Sequence, residues 1–209
     1  MNQGAELLLD KPTILLKDEN VKFDLEQTLN KAMDCFYCNG YHATSVESLT
    51  KAMGVNEKEL IAAFGDKHAL FEAVLASYSY AIISEIVGRL EEAVNPLDAI
   101  RSILRDVVSL TLEDTNNYGC MVTNSAIEFG GKDQVIAEAV NRTFSNIEDG
   151  FCRALSRAHD NGQLDRSKDA RSLARFLVST IQGIRVIGQA TSDPAALGDI
   201  ADTAIRCLE

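Results

Sequence analysis

Apolar residues recur at every third or fourth position along most of this chain, the spacing that lines one face of an α-helix. Leu25, Leu29, Ala32, Met33 and Phe36 form the first such stripe. They predict a helix from about Asp24 to Asn39, stopped by Gly40. Thr44-Ser45-Val46-Glu47 fits a capping box, so a second helix is expected to start after Thr44. It would bury Val46, Leu49 and Met53 and end at Gly54. Asn56-Glu57-Lys58-Glu59 is a second box-like start, opening a third helix that buries Leu60, Ala63 and Phe64 and stops at Gly65. Asp66 then caps a long fourth helix to about Ala93, with Leu70, Val74, Tyr78 and Ile82 down one face.

The same logic continues to the C-terminus. Asn95-Pro96 supplies a cap and a first-turn proline for a fifth helix carrying Ile100, Ile103, Leu104, Val107, Val108 and Leu112. A sixth is expected from about Cys120 to Phe129, before Gly130-Gly131, and a seventh from about Asp133 to Asp160. Ser167 is expected to cap an eighth, through about Ala190, and Asp193-Pro194 to open a ninth. No strand-like alternation, internal repeat or low-complexity tract interrupts this pattern. The expectation is an all-α fold of about nine helices: residues 1–21 an N-terminal extension of undetermined order, 22–70 a three-helix unit, and 71–209 a larger helical body.

Composition agrees. Of 209 residues, 46% are hydrophobic and only three are proline, which suits a helical chain with a substantial core. Charge changes the picture more. The net charge is -11, and residues 22–70 hold five lysines (22, 31, 51, 58, 67) against seven acids (24, 26, 34, 47, 57, 59, 66). No arginine precedes Arg89. Any contact with phosphate must therefore rest on few cations. The five cysteines have no repeating spacing and suggest reduced thiols in a cytosol rather than a disulfide framework. No secretory signal or charge-free apolar run of about 18 residues is present, so a cytoplasmic protein without a membrane span is expected.

Three short helices with a tight glycine turn between the second and third have the layout of a helix-turn-helix head. The stretch Ala32 to Leu75 resembles the DNA-binding head of the TetR family of bacterial regulators. The residues that carry the resemblance are Ala32, Phe36, Gly40-Tyr41, Thr44-Ser45-Val46, Leu49, Met53-Gly54-Val55, Leu60, Phe64-Gly65-Asp66-Lys67 and Leu70-Phe71. The later chain fits more loosely, through helix count, the Gly119-Cys120 opening and Gln182-Gly183. The resemblance implies a transcriptional regulator, a repressor released from its operator by a small molecule bound in the body. It also implies a homodimer built on the last two helices. The partners are then double-stranded, palindromic operator DNA and an effector of unknown identity, with no catalytic activity and no cofactor.

In such a head the second helix of the motif enters the major groove. The residues expected at DNA are Thr44, Ser45, Asn56, Glu57, Lys58, Ile61, Ala62 and Lys67. Thr44 and Lys67 would meet phosphates, although Thr44 can equally be a plain helix cap and Lys67 a plain surface lysine. The family commonly has tyrosine where this chain has Ile61, which can touch only a thymine methyl. Glu57 can accept from cytosine N4 but is repelled by phosphates. Glu59 can instead fold back to the N–H of Asn56. An alternative function follows: a dimeric TetR-like binding protein whose acidic head reads DNA weakly or not at all.

In the body, Met121, Asn124 and Glu128 share one side of the sixth helix by spacing, and Arg105 and Ser109 pair on the fifth. These five residues are the candidate effector contacts if Glu128 and Arg105 face inward; otherwise both are solvated. Cys120, at a helix start, is either a redox-sensitive thiol or an inert buried one. Cys35 and Cys38 have Cys-x-x-Cys spacing, but within one helix, and His42, His68 and His159 are scattered, so no metal set is assigned. No catalytic motif is present.

Overall fold

The computed structural model describes residues 23–116 and 118–209; the extension 1–21 lies outside them. Among the described residues there are nine α-helices and no strand. They are α1 (Leu25–Ala43), α2 (Val46–Met53), α3 (Glu57–Phe64), α4 (Lys67–Glu92), α5 (Pro96–Glu113), α6 (Met121–Phe129), α7 (Gln134–Asp160), α8 (Ala170–Ala190) and α9 (Pro194–Arg206).

Side-chain caps set most of the starts, because the first backbone N–H groups of a helix have no partner within it. Asp24, Ser45, Asn56, Asp66, Asn95, Asp133, Asp169 and Asp193 each accept from a first-turn N–H. Two expectations are corrected. The cap of α2 is Ser45, not Thr44: Ser45 Oγ takes the N–H of Ser48 at 3.0 Å, while Thr44 is only 2% exposed. The cap of α8 is Asp169, which takes the N–H of Ser172 at 2.7 Å; Ser167 instead gives its own N–H to Asp165.

Two apolar clusters hold the molecule. One joins Leu29, Ala32, Phe36, Leu49, Met53, Leu60, Ala63 and Phe64 of the head and Leu70 and Phe71 of α4 to Met121, Val122 and Phe129 of α6 and Ile136 and Val140 of α7. The other fills the body between α4, α5, α7, α8 and α9. The head is thus seated on α6 and the first turns of α7. Helix α4 is long and apolar enough to cross a bilayer by length and composition alone. Its Phe71, Val74, Leu75, Ile83, Val87 and Leu90 are buried in the two cores, which it links.

Helix α8 has one buried face and one exposed face. Leu177, Thr180, Ile181, Ile184 and Gly188 are buried. Phe176, Val186 and Ile187 remain about 40% exposed, at 41%, 40% and 42%. Gly183 and Gly188 are the two glycines of α8, and each could admit a neighbouring helix. Gly188 belongs to the internal α5–α8 contact: a Cβ there would stand 2.0 Å from Thr111 Cγ2. At Gly183 a Cβ would meet nothing within 4 Å.

Candidate nucleic-acid interface

Helices α2 and α3 form a helix-turn-helix. Gly54 makes the turn with φ of 75°, a conformation glycine adopts without Cβ strain. Helix α3 has eight residues, well below the length of about 12–15 at which an isolated helix is even marginal in water. Its stability comes from Leu60, Ala63 and Phe64, buried against the head core, and from a complete capping box. Asn56 Oδ1 takes the N–H of Glu59 at 3.0 Å, and Glu59 Oε2 takes the N–H of Asn56 at 2.8 Å. Glu59 is thereby turned back onto the backbone. Glu57, Lys58, Ile61 and Ala62 are left on the exposed side, with Ile61 49% exposed. Ser45, Glu47, Ser48 and Lys51 are exposed on the adjoining α2 segment.

The two expected phosphate contacts are placed differently. Thr44 Oγ1 donates to Gly40 O at 2.6 Å and lies near Cys35 O at 3.3 Å, so its hydroxyl is spent inside the head. Lys67 Nζ donates to Tyr41 O and Thr44 O, each at 3.0 Å, and sits 4.1 Å from the centroid of the Tyr41 ring. Its charge compensates the carbonyls at the end of α1. The Thr44 hydroxyl is thus not a free donor, whereas Lys67 keeps one of its three N–H donors.

Behind this face, the head is bolted to the body. Helix α1 breaks at Gly40, where φ is 74°, and a last turn carries Tyr41, His42 and Ala43. Glu128 of α6 receives that turn. Its Oε2 takes the N–H of Tyr41 at 2.9 Å, and its Oε1 takes the N–H of His42 at 2.6 Å and meets His42 Nδ1 at 2.8 Å. Partial burial opposes the Glu128 charge, but these donors outweigh it and hold the carboxyl below its ordinary value of 4.5. A second bolt joins α4 to α7. His68 Nε2 meets Asp133 Oδ2 at 2.5 Å, and His68 Nδ1 meets Glu72 Oε1 at 2.7 Å. The other Asp133 oxygen caps α7 through the N–H of Ile136 at 3.1 Å. That N–H, then His68, hold the Asp133 carboxyl below its usual value. A third link is Tyr37, whose hydroxyl donates to Gly119 O at 2.7 Å. Phe129 packs among these bonds, 5.0 Å from Tyr41 and 5.4 Å from Phe71 between ring centroids.

The candidate effector residues are brought together only in part. Met121, Asn124 and Glu128, with Phe36, Tyr37, Gly40, Phe71 and Ser125, line a cavity of about 30 Å³, room for about one water. Asn124 is already bonded to Tyr118 O at 2.7 Å and to Gln189 at 3.1 Å. Arg105 and Ser109 are exposed on α5 and do not join Glu128, whose carboxylate serves the head. A larger cleft of about 210 Å³ opens between α6 and α7, walled by Ser125, Ala126, Phe129, Gly131, Ile136, Ala137, Val140 and Asn141. Cys120 is buried and Cys38 exposed. Sequence reasoning missed Tyr37, His68 and Asp133. The spacing of His68 and Glu72 was a usable signal; the pairing of His68 with Asp133, 65 residues apart, left none.

Comparison with known proteins decides the family. Residues 29–74 match the model described as bacterial regulatory proteins, tetR family, and residues 96–204 match that of the tetracyclin repressor-like, C-terminal domain. This chain belongs to the TetR family. It is 30% identical over 191 residues to the uncharacterized HTH-type transcriptional regulator YezE of Bacillus subtilis (strain 168), spanning 91% of this chain and 98% of YezE. It is 29% identical to the HTH-type transcriptional repressor ComR of Escherichia coli (strain K12), over 88% of each chain. Among solved structures, the TetR family regulator CifR, a cysteine mutant complexed with 26-bp double-strand operator DNA, superposes with a TM-score of 0.80 at 26% identity. That match covers 90% of this chain and 98% of CifR. As a TetR-family member the chain is a transcriptional regulator with an N-terminal helix-turn-helix DNA-binding domain, not an enzyme.

Proposed function

We propose that this regulator is a repressor that binds a palindromic operator as a homodimer and leaves it when a small molecule binds the body. Residues 22–70 would form its DNA-binding unit and 71–209 its effector-binding and dimerisation unit, acting in the cytoplasm. The observation that carries the reading is α3 itself: one face is locked into the head core, and the other presents Glu57, Lys58, Ile61 and Ala62 to solvent. Ser45 and Lys51 would flank them from α2, while Thr44, Asn56 and Lys67 would act by holding the motif in shape. The relative named as a repressor and the solved complex with operator DNA support the same assignment. For effector release, the cleft between α6 and α7 is the favoured entrance. A ligand seated there would press on Phe129 and, through it, on Tyr41 and the bonds of Glu128. Met121 and Asn124 border that path; Arg105 and Ser109 do not. The effector shifts the equilibrium only as far as it binds the released form better.

A second reading has its own support. Glu57 is acidic where phosphates approach, and Lys67 is committed to the carbonyls of Tyr41 and Thr44. A head that has given up DNA would leave a dimeric binding protein that acts through a ligand or another protein. Titration of the full chain against duplex DNA separates the two. With Lys51 and Lys58 as the exposed cations of the motif, two heads make about four phosphate contacts. The log-log salt slope should then be roughly -4. No binding at low salt, either to random duplex or to any member of a random-site library, would establish the second reading instead.

A further inference from the structure

We propose that Glu57 and Ile61 form the base-reading pair of the head: Glu57 accepts from the exocyclic amine of a cytosine, and Ile61 packs on a thymine methyl within about two base pairs of it. The proposal rests on the regulator reading and specifies what its α3 reads. Glu59 is removed from competition by its bond to Asn56 N–H. Glu57 is exposed and makes no ion pair among the described residues. It stands in the first turn of α3, where the helix dipole favours its charge.

A carboxylate only accepts hydrogen bonds. In the major groove, guanine offers two acceptors and thymine one, and adenine sets an acceptor beside its amine; cytosine alone presents an amine without one. Cytosine is therefore the base that Glu57 tolerates best. Ile61 has no polar atom, and the apolar group available on a major-groove edge is the thymine methyl. Four residues along a helix rise about 6 Å, which is about two steps of duplex. Lys58 beside them supplies a point charge for phosphate, and Ala62 is too short to discriminate. The cost that Glu57 imposes near every phosphate also weakens non-specific binding, which sharpens selectivity at the expense of affinity.

The test selects duplexes from a random-site library with the full-length protein, then measures binding to the selected site and to copies bearing single base changes. The expected consensus places a cytosine and a thymine within about two or three base pairs in each half-site. Replacing that thymine by deoxyuridine removes one methyl and should weaken binding about fourfold per half-site. Ile61→Ala should abolish that penalty. Glu57→Gln, which can donate as well as accept, should shift the preferred base from cytosine toward adenine by about tenfold. Both positions are exposed, and unchanged melting curves would exclude a folding defect. A consensus lacking the pair, a uracil penalty that survives Ile61→Ala, or an unaltered preference in Glu57→Gln would overturn the inference and leave the regulator intact. No consensus, with no binding at low salt, would overturn both.

Discussion

Single side chains tie the head to the body. Asp133 spends one oxygen on the first turn of α7 and the other on His68, and His68 spends its second nitrogen on Glu72. Partial burial disfavours the imidazolium, but the hydrogen bond and charge of Asp133, aided by Glu72, prevail and raise the His68 pKa above its ordinary 6.5. A raised histidine contributes stability that is fully present below about 6.5 and is lost as pH climbs through the higher folded value. The depressed carboxyls of Glu128 and Asp133 act in the opposite sense. Their contribution is present above the unfolded values, near 4, and is lost as pH falls through the lower folded ones. We predict that the urea midpoint falls as pH rises above about 6.5 and that His68→Gln flattens that decline. An identical slope in the variant would mean that the bolt between α4 and α7 contributes no pH dependence.

At the scale of elements, order of helices, apolar faces and most caps were legible, because helical spacing and capping chemistry are local. Asn56 and Glu59 close the capping box that their spacing announces. Adjacent candidates were not resolvable: Thr44 and Ser45 have the same cap chemistry, and the choice is made by tertiary packing that buries Thr44. Asp169 displaces Ser167 for a local reason: the exposed Ser167 is drawn into the turn of Asp165. The junction was less legible still. Glu128 looks from its helix like a group facing a ligand or solvent, and only the fold brings Tyr41 and His42, 87 and 86 residues away, onto its carboxylate. Gly40 makes that meeting possible. Its φ of 74° suits glycine, and a Cβ would stand 2.9 Å from Glu128 Oε2. Gly40→Ala should therefore destabilise the protein by about 1–3 kcal/mol. In hydrogen exchange it should also deprotect the Tyr41 and His42 amides ahead of the rest of α1. Uniform protection along α1 would show that the turn does not depend on Glu128.

On the scale of the whole molecule, two half-sites need two heads, and a two-fold interface must be self-complementary. Helix α8 offers such a surface. Phe176, Ser179, Gly183, Val186 and Ala190 follow one another at steps of three and four residues, and none of them is buried in the single chain. Beside them α9 keeps Gly198 open, with nothing within 4 Å of an added Cβ. Small residues between apolar ones let two helices approach closely, which is the reason to place the proposed dimer axis near Gly183. Gly183→Arg tests this without weakening the monomer, because arginine is favoured over glycine in a helix interior by roughly 1 kcal/mol. The expected variant is monomeric by light scattering, melts at least as high when compared as a single chain, and loses operator affinity because the heads no longer act as a pair. Gly188→Ala gives the contrasting case on the same helix. Its Cβ would collide with Thr111 Cγ2 inside one protomer, so the body should lose stability, whatever the oligomeric state. A Gly183→Arg protein that remains dimeric at micromolar concentration would remove the α8 face from the interface, and the spacing of the two heads would then have to be set elsewhere.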